Sequence, residues 1–144
     1  MALNFGNLFS ITFGTNKEEI MSIPPCEFKT KTPNVDDVSY SEAALTITSS
    51  GPTTFVGIKL PQNATIIKAV VFGSDATDIW NFVRTNYSAS VQDFLVAGEN
   101  LNTENTSISN TLGLIDNNNF HYVISTSQPT NGDKIYGARI TYTI

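Results

Sequence analysis

The sequence predicts an all-β chain folded as a single antiparallel β-sandwich of jelly-roll type, with about eight strands plus an N-terminal strand or arm. Three observations carry that expectation. Apolar and polar residues alternate with period two along most of the chain. Gly, Pro, Asn and Asp clusters interrupt the alternation about every 10–15 residues. No apolar pattern of period 3.6 persists long enough to make a helix that could cover a sheet. At 144 residues the chain makes one domain and can bury a core without disulfides.

The elements follow in chain order. Leu3, Phe5, Asn7, Phe9, Ile11 and Phe13 share one face of a first strand, which Gly14-Thr15-Asn16 ends. Asn16 followed by Glu19 has capping-box spacing and predicts a short helical turn over residues 17–22. Pro24 and Pro25 stop it, since neither offers an N–H. Residues 1–26 thus form an N-terminal strand or arm, and 27–42, with Pro33 and Asp36-Asp37, a polar surface connector. Residues 43–144 form the sandwich domain.

Within it, strands are expected at 43–48, 54–60, 65–72, 79–84, 90–97, 107–112, 120–127 and 134–144. The strand at 65–72 is apolar except for Lys68 and must be covered on both faces, by a second sheet and a loop or by a neighbouring subunit. The last strand alternates most cleanly, with Tyr136, Ala138, Ile140, Tyr142 and Ile144 on one face.

Composition excludes several function classes. Thr, Asn and Ser supply 46 of the 144 residues, charged residues only 15%, and the net charge is −5. Two arginines and six lysines cannot neutralise a run of phosphates, so nucleic acid is not an expected partner. Cys26 and His121 are each alone in the chain, which removes Cys clusters and His-pair metal sites; no metal or cofactor is expected. Cys26 reads as a small buried apolar residue. The first residues show neither a basic region nor an unbroken apolar run, so no signal peptide is expected, and no stretch is long enough for a membrane span. Synthesis in a host cytoplasm follows.

Groups that might do chemistry have simpler readings. Asp36 and Asp37 are adjacent and face opposite ways on an extended chain; Asp75 and Asp78 bracket a turn and read as solvated turn residues. Asp116-Asn117-Asn118-Asn119 offers four oxygen-bearing side chains, but without the spacing of a calcium loop it reads as a tight Asx turn. His121 reads as a strand residue facing solvent or a subunit contact, and no Gly-x-Ser-x-Gly nucleophile motif is present. No catalytic residue is therefore assigned, and the protein is not expected to be an enzyme. Asn63, Asn86 and Asn105 stand in glycosylation-acceptor triplets that the Asn/Thr/Ser-rich composition explains. Most of the 15 aromatic residues fill a core; Trp80 and Tyr87 are the ones to check for exposure.

Three stretches, Ile58-Lys59-Leu60-Pro61-Gln62-Asn63-Ala64-Thr65-Ile66, Ile115-Asp116-Asn117-Asn118-Asn119-Phe120-His121-Tyr122 and Ile135-Tyr136-Gly137-Ala138-Arg139-Ile140-Thr141-Tyr142, stand in this order. Together they resemble jelly-roll or β-sandwich virion structural proteins of prokaryotic viruses, as capsid, head-decoration or tail/fibre components, over about residues 40–144. The resemblance implies a non-enzymatic subunit located in the virion, whose partners are copies of itself and other virion proteins. The resemblance does not reach the N-terminal segment; from its alternation alone, Phe5, Phe9, Ile11 and Phe13 read as subunit-interface anchors of an arm on a neighbouring copy, or more plainly as an extra strand on the chain's own sheet. The alternative is a glycan- or receptor-binding β-sandwich module, for which Trp80 with Asp78 and Asn81 is the nearest candidate contact to a host-surface glycan.

Overall fold

The computed structural model describes residues 16–30, 38–49, 51–127 and 129–144. It is a β-sandwich of two antiparallel sheets. The strands are β1 (Glu18–Ile23), β2 (Lys29–Thr30), β3 (Val38–Tyr40), β4 (Leu45–Ile47), β5 (Thr54–Ile58), β6 (Thr65–Gly73), β7 (Ile79–Asn86), β8 (Gln92–Asn100), β9 (Phe120–Ser127) and β10 (Lys134–Thr143). The first sheet is built on β10, with β6 on one edge and β1 followed by β4 along the other; β3 pairs with β4. The second runs β2-β5-β9-β7-β8. The anchors Phe5, Phe9, Ile11 and Phe13, and the pair Asp36-Asp37, lie outside the described residues.

Period-two alternation builds the core. Leu45, Ile47, Ile66, Ala69, Val71, Ile135, Ala138 and Ile140 of the first sheet meet Val56, Ile58, Trp80, Phe82, Leu95, Val96, Tyr122 and Ile124 of the second. Each large side chain removed from water there contributes roughly 1.5–3 kcal/mol. Two polar groups of the core are paired: the Thr54 and Thr126 hydroxyls hydrogen-bond to each other across β5 and β9, and the Trp80 indole N–H donates to the Asn100 carbonyl at 3.0 Å. The demand that β6 be covered is met within the chain. The stretch after β8 pairs along its edge through Asn102 and Asn105. On its outer face Glu104 bridges Lys68 and Arg139, beside the buried Val70.

Four sequence expectations are corrected. Residues 17–22 are not helical, because β10 offers Glu18–Ile23 a full antiparallel register from Thr143 to Ala138; tertiary pairing overrides the capping-box spacing. Cys26 sits in a one-turn 3-10 helix, Pro25–Glu27, and is exposed. The 27–42 connector contributes strands β2 and β3 and buries Phe28 completely. Residues 107–112 do not make a strand: Ser109 caps a four-residue helix, α1 (Asn110–Gly113), by accepting from the Leu112 N–H at 3.1 Å. From 107 to 113 only Ile108 and Gly113 are buried, too little apolar surface to hold the stretch in a sheet.

One further difference lies in β10. A bulge between Ile135 and Gly137 puts two steps of β10 opposite one step of β6. Ile135 then points into the core while Tyr136 turns outward and loses the face it was expected to share with Ala138. Gly137 makes this geometry accessible: its φ is +126°, and a Cβ there would lie 2.4 Å from the Ile23 carbonyl oxygen of β1.

Candidate functional site: a groove on the second sheet

The register of the second sheet assigns its outward residues to rows. Phe55, Ser125 and Asn81 form one row across β5, β9 and β7; Gly57, Val123, Val83 and Phe94 form the next and continue onto β8; His121, Thr85 and Gln92 form the third. The middle row is an apolar strip whose first member has no side chain. A Cβ at Gly57 would meet nothing within 4 Å, so the strip opens there into a hollow. Phe55 (36% exposed) and Phe94 (48% exposed) stand on the same face.

The hollow has a volume of about 440 Å³ and is lined by Gly57, Ile58, Lys59, Tyr87, Asn117, Phe120, His121, Tyr122 and Val123. Four segments converge to build it: the end of β5, the loop before β9, the start of β9, and the turn that follows β7. Tyr87, 62% exposed, is its most prominent wall. Its ring centroid lies 5.4 Å from that of His121, with the planes tilted by 45°.

Each wall is held by local chemistry that Asx residues supply. Asn86 Oδ1 accepts from the N–H and hydroxyl of Ser88, at 2.8 and 2.7 Å, and from the Ala89 N–H, which closes the turn carrying Tyr87. The Tyr87 N–H itself donates to the Asn119 carbonyl at 3.0 Å, fastening that turn to the loop before β9. In that loop Asp116 accepts from the Asn118 N–H and the Asn119 amide, so Asp116–Asn119 is a tight turn. Those donors hold the Asp116 carboxyl below its ordinary range, the Asn119 amide foremost. Asn117 donates its Nδ2 to the Leu60 carbonyl and its N–H to Gln62, which fixes it at the mouth. Below the floor, burial pushes the Tyr122 phenol above its ordinary pKa, and its oxygen accepts the Asp116 N–H at 2.8 Å. The Arg84 guanidinium lies 4.3 Å from the Phe120 ring centroid while pairing with Asp93 at 2.9 Å.

The hollow thus combines an exposed ring, an apolar floor and polar tips on Lys59, Asn117, His121 and Tyr87. Such a mixture suits a ligand that is apolar on its faces and hydroxylated at its edges. No hydrogen bond joins His121 to a hydroxyl or carboxylate among the described residues.

The glycan contact expected at Trp80, Asp78 and Asn81 is not formed. Trp80 is 0% exposed: it is the largest core residue, and a strand position alternating inward cannot also stack on a ligand. Asp78 is 3% exposed and not a solvated turn residue. Asn81 lies on the outer face, but its Oδ1 accepts the Gly98 N–H at 2.8 Å where β8 bulges. Tyr87, the other aromatic singled out, is the exposed one, and His121 stands beside it. Nothing in the sequence reading brings Gly57, Lys59 and Asn117 together, since their proximity depends on how β5 lies against β9 and the loop before it. Elsewhere, Asp75, Asp78 and Asp133 bring carboxylate oxygens within 4.8 Å of one another. Burial, and then the Asp133 and Asp75 charges, push the Asp78 carboxyl up to about 6.

No family model matches the chain, and no curated protein does. Solved structures share its architecture at low identity. The xylan-binding module CBM15 superposes with a TM-score of 0.47 at 14% identity, over 89% of this chain and 97% of that one. The C-terminal CBM6 of LamC, from Zobellia galactanivorans, gives 0.45 at 14% identity, over 85% and 99%. A family two carbohydrate esterase from Cellvibrio japonicus gives 0.40 at 8% identity, over 90% of this chain and 34% of that one. Scores below 0.5 leave the function to the chemistry of the groove.

Proposed function

We propose that the protein is a non-catalytic β-sandwich module that binds a glycan chain across the outer face of its second sheet, with the hollow beside Tyr87 as the main sugar subsite. The observation that carries this reading is the open, Gly57-floored hollow with an exposed tyrosine ring on its wall. A pyranose has one face of C–H groups and a rim of hydroxyls. The ring and the Val123 strip take the first, and Lys59, Asn117 and His121 the second. The low charge of the chain agrees with an uncharged ligand. The test is isothermal titration against a panel of oligosaccharides and polysaccharides, with Tyr87→Ala as the site variant. Binding weakened by that change supports the reading, and no binding to any member of the panel refutes it.

A second reading, self-association within a particle, rests on a different observation. Among the described residues β1 pairs only with β10, so its other edge is open, and Ile20 on it is 63% exposed. The apolar alternation of Leu3 to Phe13 precedes that edge in sequence. The two readings are compatible, since the edge belongs to the first sheet and the hollow to the second.

A further inference from the structure

The turns at the far end of β7 from Tyr87 hold a group of side chains that glycan binding does not use. Asp75 and Asp78 lie in the β6–β7 turn and Asp133 in the β9–β10 turn, and one carboxylate oxygen from each lies within 4.8 Å of the other two. Among the described residues no lysine or arginine pairs with any of them, so three like charges converge without a counter-charge. Asp78 is 3% exposed, and its Oδ2 is buried with no hydrogen-bond partner. A buried carboxylate oxygen with no donor is a costly arrangement, and such an atom in a native fold calls for a ligand.

The surroundings also orient the group. The Thr77 N–H and hydroxyl donate to Asp75 Oδ1 at 2.8 and 2.7 Å. The Thr130 N–H and hydroxyl donate to Asp133 Oδ2 at 2.6 and 2.8 Å. One oxygen of each half-buried partner, Asp75 and Asp133, is thus held by its own turn, which fixes the plane of the carboxylate and leaves the other oxygen available. The two turns are already joined: the Ser74 N–H donates to the Lys134 carbonyl at 2.9 Å, and the Lys134 N–H to the Ser74 hydroxyl at 2.8 Å. The cluster is therefore arranged before anything binds.

We infer that Asp75, Asp78 and Asp133 form a divalent-cation site, with calcium as its occupant, that ties the β6–β7 turn to the β9–β10 turn. Three carboxylate oxygens and no nitrogen or sulfur donor select a hard ion. Calcium sits about 2.3–2.6 Å from its ligands, so two of them can stand up to about 5 Å apart across the ion; magnesium, at about 2.0–2.1 Å, allows only about 4.2 Å. Separations bounded at 4.8 Å suit calcium, whose coordination is flexible, more readily than magnesium, which demands a near-ideal octahedron. Water completes its coordination. β7 separates this site from Tyr87 by eight residues, about 26 Å of strand, so the ion acts on stability and not on the sugar subsite.

The experiment uses the full chain stripped with EDTA, then calorimetric titration with CaCl2 and thermal melts. One site with a Kd between about 10⁻⁵ and 10⁻³ M is expected, and a melting temperature raised by roughly 5–10 °C at a hundredfold excess over Kd. Magnesium at the same concentration should give less than half that shift. Asp78→Asn should lose the calcium response while melting in EDTA at or above the parent, since it relieves the crowded charge; Asp75→Asn should do the same. Glu18→Gln, an exposed change on β1 opposite Thr143 at the far end of β10, should keep the full response. Absence of a heat or melting shift in the parent at about 10 mM CaCl2 overturns the inference. So does an undiminished response in both aspartate variants, or a magnesium response equal to that of calcium.

Discussion

Removing the Tyr87 ring is the most direct trial of the groove, and its size can be worked from the structure. The residue is 62% exposed, so one ring face is open to a ligand. A pyranose laid on that face covers about 50 Å² of ring and a similar area of sugar, and at about 25 cal/mol per Å² this is worth about 2.5 kcal/mol. Ordering of the sugar and incomplete desolvation reduce the net to about 1–2 kcal/mol, or roughly 5–30-fold in Kd. Tyr87→Ala should show that loss in calorimetric titration with whichever glycan the parent binds. Tyr87→Phe should stay within about threefold, because it keeps the stacking face and loses one hydroxyl. Both variants should melt close to the parent, since an exposed side chain contributes little to folding and the Tyr87 N–H bond to Asn119 is unaffected. An alanine variant with unchanged affinity, or a phenylalanine variant as weak as alanine, would show that the ring is not the platform.

The remaining predictions address the floor, the bulge and the N-terminal edge. Gly57→Leu adds bulk where a Cβ meets nothing within 4 Å, so it should melt like the parent yet weaken glycan binding at least about tenfold; full-strength binding would move the ligand off this face. Gly137→Ala forces a left-handed φ on a residue with a Cβ and pushes that atom 2.4 Å from the Ile23 oxygen. A cost of about 3 kcal/mol or more follows, read as a melting temperature roughly 10 °C lower; a change under about 2 °C contradicts the assigned bulge. If Leu3 to Phe13 seat on a second copy, Phe5→Asp with Phe9→Asp should reduce the mass measured by light scattering on a sizing column. An unchanged mass rules out that role for the two phenylalanines.

How far the fold could be read from the residues depended on where alternation was left to act alone. β5, β6, β7, β9 and β10 emerge close to their expected bounds because each is five or more residues long and turns alternate side chains to a common core, so a slip of one residue would turn its apolar side chains to water. The misread segments are those where a partner decides. Glu18–Ile23 has local features of a helical start, yet six antiparallel pairings with β10 outweigh one capping interaction. Residues 107–112 alternate like a strand but pair with none, and Ser109 caps them into α1. Tyr136 stands on the face opposite to the one its alternation predicts because a bulge consumes one residue of the period, and only the close approach of β1 to Gly137 reveals the need for it.

The sites were legible in reverse proportion to their sequence span. Tyr87 and His121 could be noticed singly, as an aromatic in an Asx turn and as the lone imidazole, but nothing in a linear reading places them 5.4 Å apart; the antiparallel register of β7 against β9 does so, with Thr85 opposite His121. Trp80 misled for a physical reason: a tryptophan beside Asn81 and two residues from Asp78 looks exposed, whereas Ile79 and Asn81 alternate outward because the indole faces in. The aspartates show the limit most sharply. Asp75 and Asp78 are near in sequence and read as an ordinary wet turn, and Asp133, more than fifty residues away, reads as part of another. Each alone is a polar turn residue, and the chemistry exists only in their sum. That sum is fixed by the Ser74–Lys134 bonds between two turns, so a long-range backbone contact, and not a motif, makes the carboxylates converge.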